Sequence, residues 1–570
     1  MQSRTYLVLG GAGLVGTQVC RFIAEDLRPE KIVVAALAER EAQAACTSLR
    51  ERHPNVNFVP EYGNLFVPYE LASLTRSELL ATQQRRRYLR DALYGDFHAA
   101  YEANCLVRMI KKHQPEIIVD AVNTATGISY QDVFDGAKRL IDGMDGGVAD
   151  QDELAYDLEL FLLSQSVPQI IRHVRFIYEA TRAVGTRLYL KIGTTGTGGM
   201  GLNIPYTHSE DKPSQTLLAK TEVAFGHTGL LFLMSRTPDA PVVKEVKPAA
   251  LIGYKAVEYA QIRDKSGQPV RRYEPRSMIL DTNTELFQQE SDEKYQKIGE
   301  LKTTIVNTGE NGNFSIGEFS AITAMGQMEF ITPEEIARSV VLEIRGLNPG
   351  VDILGAIDST VMGPSYRAGL LRGAAIRDLK ALEAEMGDQS VALGQLGPPE
   401  LSKLLFEAYL LRQVLDNNMA NALEETDAVS GAPREVVPAE LSHRVAAYAR
   451  ANPTIYTAVS IGIPVLMPDG QELLRGPKIN IPELKGHARS VRQFGEKDID
   501  QWAKKGWVDL RAENMARWQT RFRRMQTARQ AVYAQGSAAV DRETYLGDGI
   551  EIGEVVAWIF NNEMGGSRLR

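Results

Sequence analysis

The residues Tyr6-Leu7-Val8-Leu9 run straight into Gly10-Gly11-Ala12-Gly13-Leu14-Val15-Gly16, and an amphipathic pattern follows with Val19, Phe22, Ile23 and Leu27 on one face. Strand, glycine turn and helix in that order leave few folds open. The glycines permit a tight turn and close backbone approach, and the helix N-terminus then faces an anion such as a pyrophosphate. Gly10, Gly13 and Gly16, with Leu14 and Val15 between them, are therefore expected to bind a dinucleotide. The expected fold class is α/β, a Rossmann doubly wound parallel sheet. A second β-type run, residues 32–36, ends in Ala36-Leu37-Ala38-Glu39-Arg40. An acidic residue there would take the adenosine ribose of NAD, and a basic one would hold the 2′-phosphate of NADP. Glu39 and Arg40 offer both, and either can simply open the next helix. NAD and NADP both stay open.

At 570 residues the chain is too long for one ordinary core, so two or three packed domains are expected. A formal net charge of -8 argues against a nucleic-acid partner, because phosphate binding favours a basic surface. The run Arg85-Arg86-Arg87 sits among helix formers and reads as a solvated helix face. Cys20, Cys46 and Cys105 are too few and too scattered for a disulfide framework or a zinc site, a pattern that suits a reducing cytoplasm. The apolar run 455–467 is too short to span a bilayer and contains Pro464. The first apolar stretch is broken by glycines and lacks the cleavage site of a signal peptide. A cytoplasmic protein without a membrane partner is expected.

Several later blocks follow in a telling order. Gly63-Asn64-Leu65 comes after a strand at 56–59, and Ile117-Ile118-Val119-Asp120-Ala121-Val122-Asn123-Thr124-Ala125 has the form of a buried strand and turn. A helix pattern at 177–185 leads into a strand at 188–192, closed by Gly193-Thr194-Thr195. Val246-Lys247-Pro248-Ala249 follows later. Over roughly residues 5–255 the chain resembles the extended short-chain dehydrogenase/reductase superfamily, of the NAD-dependent epimerase/dehydratase kind.

That resemblance implies a role for each matching position. Asn64 and Leu65 would lie at the adenine, Asn123 at the cofactor turn, and Pro248 beside the nicotinamide. Thr194 or Thr195 would polarise the substrate oxygen, and Lys220 would hold the ribose. The family also places a Tyr four residues before that Lys, and here the position is Thr216. A threonine hydroxyl is a far weaker acid than a phenol and a poor proton relay near neutral pH. Tyr206 and His208, on the loop before the helix, are the candidates to supply the proton instead. The other readings are an atypical chemistry or a non-catalytic NAD(P)-binding scaffold or sensor. The resemblance implies oxidation, reduction or transient redox at a carbinol or carbonyl carbon of a small-molecule substrate.

Two insertions, at about 66–112 and 128–165, are expected to be helical, the second with a turn at 143–147. By analogy they are expected to build the contact of a homo-oligomer. A strand is expected at 303–306. Thr332-Pro333-Glu334-Glu335 reads as a helix start, with Thr as N-cap, Pro at the first position and Glu at the third. The catalytic unit is therefore drawn to about residue 350. Residues 351–570 read as a mostly helical region that covers the substrate cleft or mediates assembly. Helices are expected at 371–386, 401–415, 439–450 and 516–535, and loops at 387–399 and 429–438. A hairpin is expected around Pro468-Asp469-Gly470. Arg517, Arg521, Arg523, Arg524 and Arg529 form a basic helix patch, read as solvated or interfacial.

Overall fold

The computed structural model describes residues 5–124, 133–145, 151–193, 215–248, 251–264, 267–281, 285–309, 312–324, 327, 331–346, 366–395, 398–427, 430–482, 484, 489–535 and 546–563. They fall into two compact units. One holds the described residues up to Gly253 together with 331–346 and 366–368, and the other those of 254–327 and from Gly369 onward.

The first unit is built on a six-stranded sheet, β1 (Thr5–Leu9), β2 (Lys31–Ala36), β3 (Asn57–Tyr62), β4 (Ile117–Asp120), β5 (Leu188–Ile192) and β6 (Val242–Val246). The strand order is β3-β2-β1-β4-β5-β6, and every pairing is parallel. This is the doubly wound Rossmann arrangement, in which the order reverses beside β1 and opens a crevice at the carboxyl ends. Because side chains alternate across a strand, each strand feeds two cores. Val8, Ile32, Val34, Val119 and Leu190 pack under α1 (Leu14–Leu27) and the helix Pro333–Ile344. Leu9, Val33, Ile118 and Tyr189 pack under the helices Cys105–His113, Ser166–Val184 and Gln215–Ser235.

The insertion after β3 is helical, with Arg76–Leu80, Gln83–Tyr94, Phe97–Ala103 and Cys105–His113. Thr75, Thr82, Asp96 and Asn104 cap these helices through their side chains. The second insertion gives the helices Val133–Asp145 and Gln151–Ser164. Gly143, expected in a turn, lies inside the first of them, because the apolar spacing carries the helix on to Asp145. The helix Pro333–Ile344 starts on the capping box foreseen at Thr332 and Glu335.

The second unit mixes helix and strand. Helices Pro399–Val414, Pro438–Ala451, Ala512–Gln535 and Ile552–Asn562 match or add to the expected ones. Val465–Leu466 and Glu472–Arg475 form the expected hairpin, with Gly470 at φ 70° in its turn. They join a four-stranded sheet with Val508–Asp509 and Arg276–Ile279. The strand expected at 303–306 is the centre of a three-stranded sheet. The stretch 429–438, expected as a loop, contains the strand Pro433–Glu435 paired with Glu424–Thr426, three residues too short for periodicity to reveal. In the basic patch, Arg521 pairs with Glu563 at 2.7 Å and Arg524 lies over the Trp558 ring. Among the described residues no helix is long and apolar enough to cross a membrane.

Candidate active site

Two features of the first unit meet at the carboxyl ends of its strands. The first is the glycine turn. Gly10 has φ 73°, and a Cβ there would lie 3.2 Å from the Ala121 backbone at the end of β4. A Cβ at Gly16 would lie 2.0 Å from the Gly10 carbonyl oxygen, so only glycine lets α1 approach the turn so closely. Gly13 is the N-cap, without a side-chain cap, and no acidic residue occupies the first turn of α1. The amides of Leu14, Val15 and Gly16 have no carbonyl four residues back within the helix. Together with the helix dipole they make a site for phosphate.

Around this turn, Glu39 and Arg40 are both exposed at the start of the helix Glu39–Arg52, and Gln43 donates to Glu39 at 2.9 Å. Asn64, half-buried just beyond β3, accepts from the Phe66 amide, and Leu65 is buried beside it. Asn123 lies three residues past β4, and Pro248 two past β6. Lys220 is half-buried on the helix Gln215–Ser235. Thr194, Thr195, Tyr206 and His208 lie outside the described residues, as does the side chain of Thr216.

The second feature was not anticipated. Asp120, Lys191 and Glu245 are register partners on three adjacent strands and form one row of alternating charge. They are 2%, 3% and 4% exposed. Lys191 Nζ lies 3.0 Å from Asp120 Oδ2, and the Tyr189 hydroxyl donates to the same oxygen at 2.5 Å. The Val122 amide donates to Asp120 Oδ1 at 2.9 Å. Lys247, two residues past Glu245 and on the same face, places Nζ 3.1 Å from Glu245 Oε1. Thr228 donates to that same oxygen at 3.2 Å.

Burial alone would raise the Asp120 carboxyl. The neighbouring Lys191 and the bonds from Tyr189 and Val122 outweigh it and hold the group below its ordinary range. Burial and the Asp120 charge push the Tyr189 phenol well up, so it stays protonated. His173 and His227 flank the row with ring centroids 6.0 Å apart. Burial pulls His173 down to about 4. Burial, with Lys191 beside it, pulls His227 well below its ordinary value. Both imidazoles are neutral at pH 7.

Three buried polar atoms here have no hydrogen-bond partner among the described residues: Glu245 Oε2, His227 Nε2 and Thr124 Oγ1. All three residues line a cavity of about 20 Å³, room for about one water, together with Asn123, Lys191 and Lys247. Gly193 closes the cavity, and a Cβ there would fall 2.2 Å from Glu245 Oε1. Lys220 and His227, seven residues apart, share one face of their helix. By contrast, the buried Glu407 of the second unit is fully used: it accepts from the Asp509 amide and Trp518 and pairs with Lys403. Buried polar atoms without a protein partner are met by ordered water, an ion or a reacting group, and here they gather around one cavity.

Sequence reading missed Asp120, Lys191, Glu245, Lys247 and His227. A signal existed, since parallel strands buried on both faces are near-continuous apolar runs. An ionisable residue at the end of Ile117-Ile118-Val119-Asp120 or Leu188-Tyr189-Leu190-Lys191 breaks that rule.

Strand order, glycine turn and helix terminus define a Rossmann-type α/β protein. Residues 272–564, more than half of the chain, match the family model described as the β-methylindole-3-pyruvate reductase C-terminal domain. The chain belongs to that family, and with it to the oxidoreductases. No curated protein matches the chain. Solved structures similar to it include a short-chain dehydrogenase from Sphingobium yanoikuyae in complex with NADPH, at 15% identity and a TM-score of 0.26, covering 44% of this chain and 72% of that one. A short-chain dehydrogenase/reductase from Serratia marcescens matches at 13% identity and a TM-score of 0.27, covering 60% and 90%. The L-sorbose reductase from Gluconobacter frateurii, complexed with NADPH and L-sorbose, matches at 12% identity and a TM-score of 0.24, covering 44% and 71%.

Proposed function

We propose that this chain is an NAD(P)H-dependent reductase acting on the carbonyl carbon of a small 2-oxo acid. The observation that carries the reading is the charged row Asp120–Lys191–Glu245, with its orphaned polar atoms, at the strand ends where open parallel sheets take their ligands. The family's name, that of a pyruvate-derivative reductase, supports net reduction over the transient redox of an epimerase or dehydratase.

Gly10, Gly13 and Gly16 would cradle the pyrophosphate on the amides of Leu14 and Val15. Asn64 and Leu65 would border the adenine, Lys220 would hold the ribose, and Asn123 and Pro248 would flank the nicotinamide. The reduced nicotinamide supplies the hydride. Thr194 or Thr195 would polarise the substrate oxygen. In the place that Thr216 leaves without a phenol, the Lys247 ammonium would donate the proton to the developing alkoxide, held in position by Glu245. His227, neutral and with Nε2 unpartnered, would accept or relay through the small cavity. Tyr206 stays the alternative donor.

The test is titration of the full chain with NADPH and NADH, followed by addition of an aryl-bearing 2-oxo acid such as indole-3-pyruvate, while the reduced-nicotinamide absorbance is followed. The expected result is nucleotide binding and loss of that absorbance. Lys247→Met should lower kcat by about 100-fold or more, the usual span of a lost general acid, with nucleotide Kd little changed. A chain that binds neither nucleotide overturns the reading. Full activity in Lys247→Met with a dead Tyr206→Phe moves the proton donor to the loop.

A further inference from the structure

The second unit holds a cavity of about 410 Å³ within the family-matched residues. Its charged side chains are unequally occupied. Arg372 pairs with Glu554 and also donates to Thr323 Oγ1 at 2.8 Å. Lys380 pairs with Glu551 at 2.9 Å. Two lining groups are left uncommitted. Arg412 makes no side-chain hydrogen bond or ion pair among the described residues, although it is half-buried. Glu383, 8% exposed, takes the Ser390 amide on Oε1 at 2.6 Å, and Oε2 has no protein partner among the described residues.

These two groups face one space without touching each other. Arg412 and Glu383 stay beyond the 4.0 Å of an ion pair, yet Arg412 is close enough to act on the Glu383 carboxyl. A half-buried guanidinium and a buried carboxylate that do not neutralise each other both lose hydration, a loss that a ligand of opposite charge would offset. Ile316, Ile376, Val391 and Ile552 supply apolar wall to the same cavity. The cavity falls in the size range of small-molecule sites.

We propose that this cavity binds a free α-amino acid with an apolar side chain, its carboxylate on Arg412 and its ammonium on Glu383. A zwitterion satisfies both uncommitted charges at once. A monocarboxylate satisfies one and leaves Glu383 without a counter-charge. The site lies wholly in the second unit and stands apart from the reading given above for the first.

The Glu383 carboxyl supplies a readout that does not depend on activity. Burial and the nearby Asp388 push the Glu383 carboxyl up to about 7, against the Ser390 amide, Arg412 and Lys380, which act to lower it. An ammonium arriving beside Glu383 favours the ionised form, so binding at pH 7 releases protons. An amine-free acid would not cause this release.

The experiment is isothermal titration calorimetry of the full chain with L-leucine and L-phenylalanine, and with 4-methylpentanoate and 3-phenylpropanoate as amine-free counterparts. Each is run at pH 7 in two buffers of different ionisation enthalpy. Binding of the amino acids, with a buffer-dependent heat that reports proton release, is expected. Arg412→Met and Glu383→Gln should each weaken it by about tenfold or more, as for a lost charged hydrogen bond. Ala384→Trp, at the exposed rim, should abolish binding while leaving the circular dichroism spectrum unchanged. Equal binding of the amine-free acids, or binding without proton release, overturns the zwitterion assignment. Absence of binding by all four, or retained binding in Ala384→Trp, overturns the site.

Discussion

Two consecutive rows of the same sheet differ by one residue and by everything else. Val34, Val8, Val119 and Leu190 are register partners and meet only the apolar core beneath α1 and the helix Pro333–Ile344. The next row, Ala35, Leu9, Asp120, Lys191 and Glu245, faces the opposite side and turns from apolar to fully charged at β4. The first row gains stability with every side chain it buries, about 25 cal/mol per Å² of apolar surface. The second takes charges out of water, at an effective penalty of several kcal/mol per ion that attraction must offset. Sheets built for stability alone would repeat the first row. On the function proposed above, the second row supplies fixed charge beside a ligand at the strand ends, in a low dielectric that strengthens it.

The largest effect that would break this contrast is loss of one member of the row. Lys191→Met leaves Asp120 buried without its cation, and a fall of about 3–5 kcal/mol in unfolding free energy is expected from denaturant titration. The double variant Asp120→Leu/Lys191→Met should recover most of that. A double variant no more stable than the single one would show that the two charges are not coupled.

Next comes the apolar row. Leu190→Ala should cost about 3 kcal/mol as a core truncation while nucleotide affinity holds. If affinity falls in step with stability, the two faces are not independent.

Acid should act on the charged face only. His173 is neutral when folded and titrates at about 4, while the unfolded residue takes its proton near 6.5. The unfolded state therefore binds the extra proton between those values, and stability falls as pH drops through that window. The loss reaches roughly 3 kcal/mol by pH 4 for this residue, and His227 adds in the same direction. Asp120, depressed when folded, adds its loss only below the ordinary carboxylate range. His173→Phe should flatten the slope between pH 6.5 and 4; an unchanged slope would place it elsewhere.

The smallest effect belongs to a helix end under the apolar face. Thr332→Ala removes the capping box with Glu335 and should cost about 1 kcal/mol, with no change in nucleotide binding. A larger loss, or weakened binding, would mean that this helix end also shapes the site.

Much of the first unit was legible in its residues. The glycine turn, the helix behind it and the apolar strands follow from local spacing. The capping box at Thr332 and the turn at Gly470 were legible for the same reason: each is complete within a few neighbouring residues. Asp120, Lys191, Glu245 and Lys247 were legible only as anomalies. Each is a lone charge at the end of an apolar run, and nothing local states that they are partners. The short strands Pro433–Glu435 and Glu424–Thr426 escaped because three residues carry no periodicity. The chain's first crossing between the units, around 253–254, coincides with a turn to polar and charged sequence that continues to about residue 300, but that change does not say where the chain returns, between 327 and 331.

By itself, then, the sequence determined a strand–glycine turn–helix unit of the Rossmann kind and a parallel sheet carried by near-continuous apolar strands. Those are properties of neighbouring residues, fixed by backbone sterics and side-chain period. Only the tertiary structure decided that Asp120, Lys191 and Glu245 share a row and that Arg412 and Glu383 share a cavity. Strand register and helix packing are set by burial of the apolar faces, and that burial carries along charged residues far apart in the chain whose pairing no local pattern records.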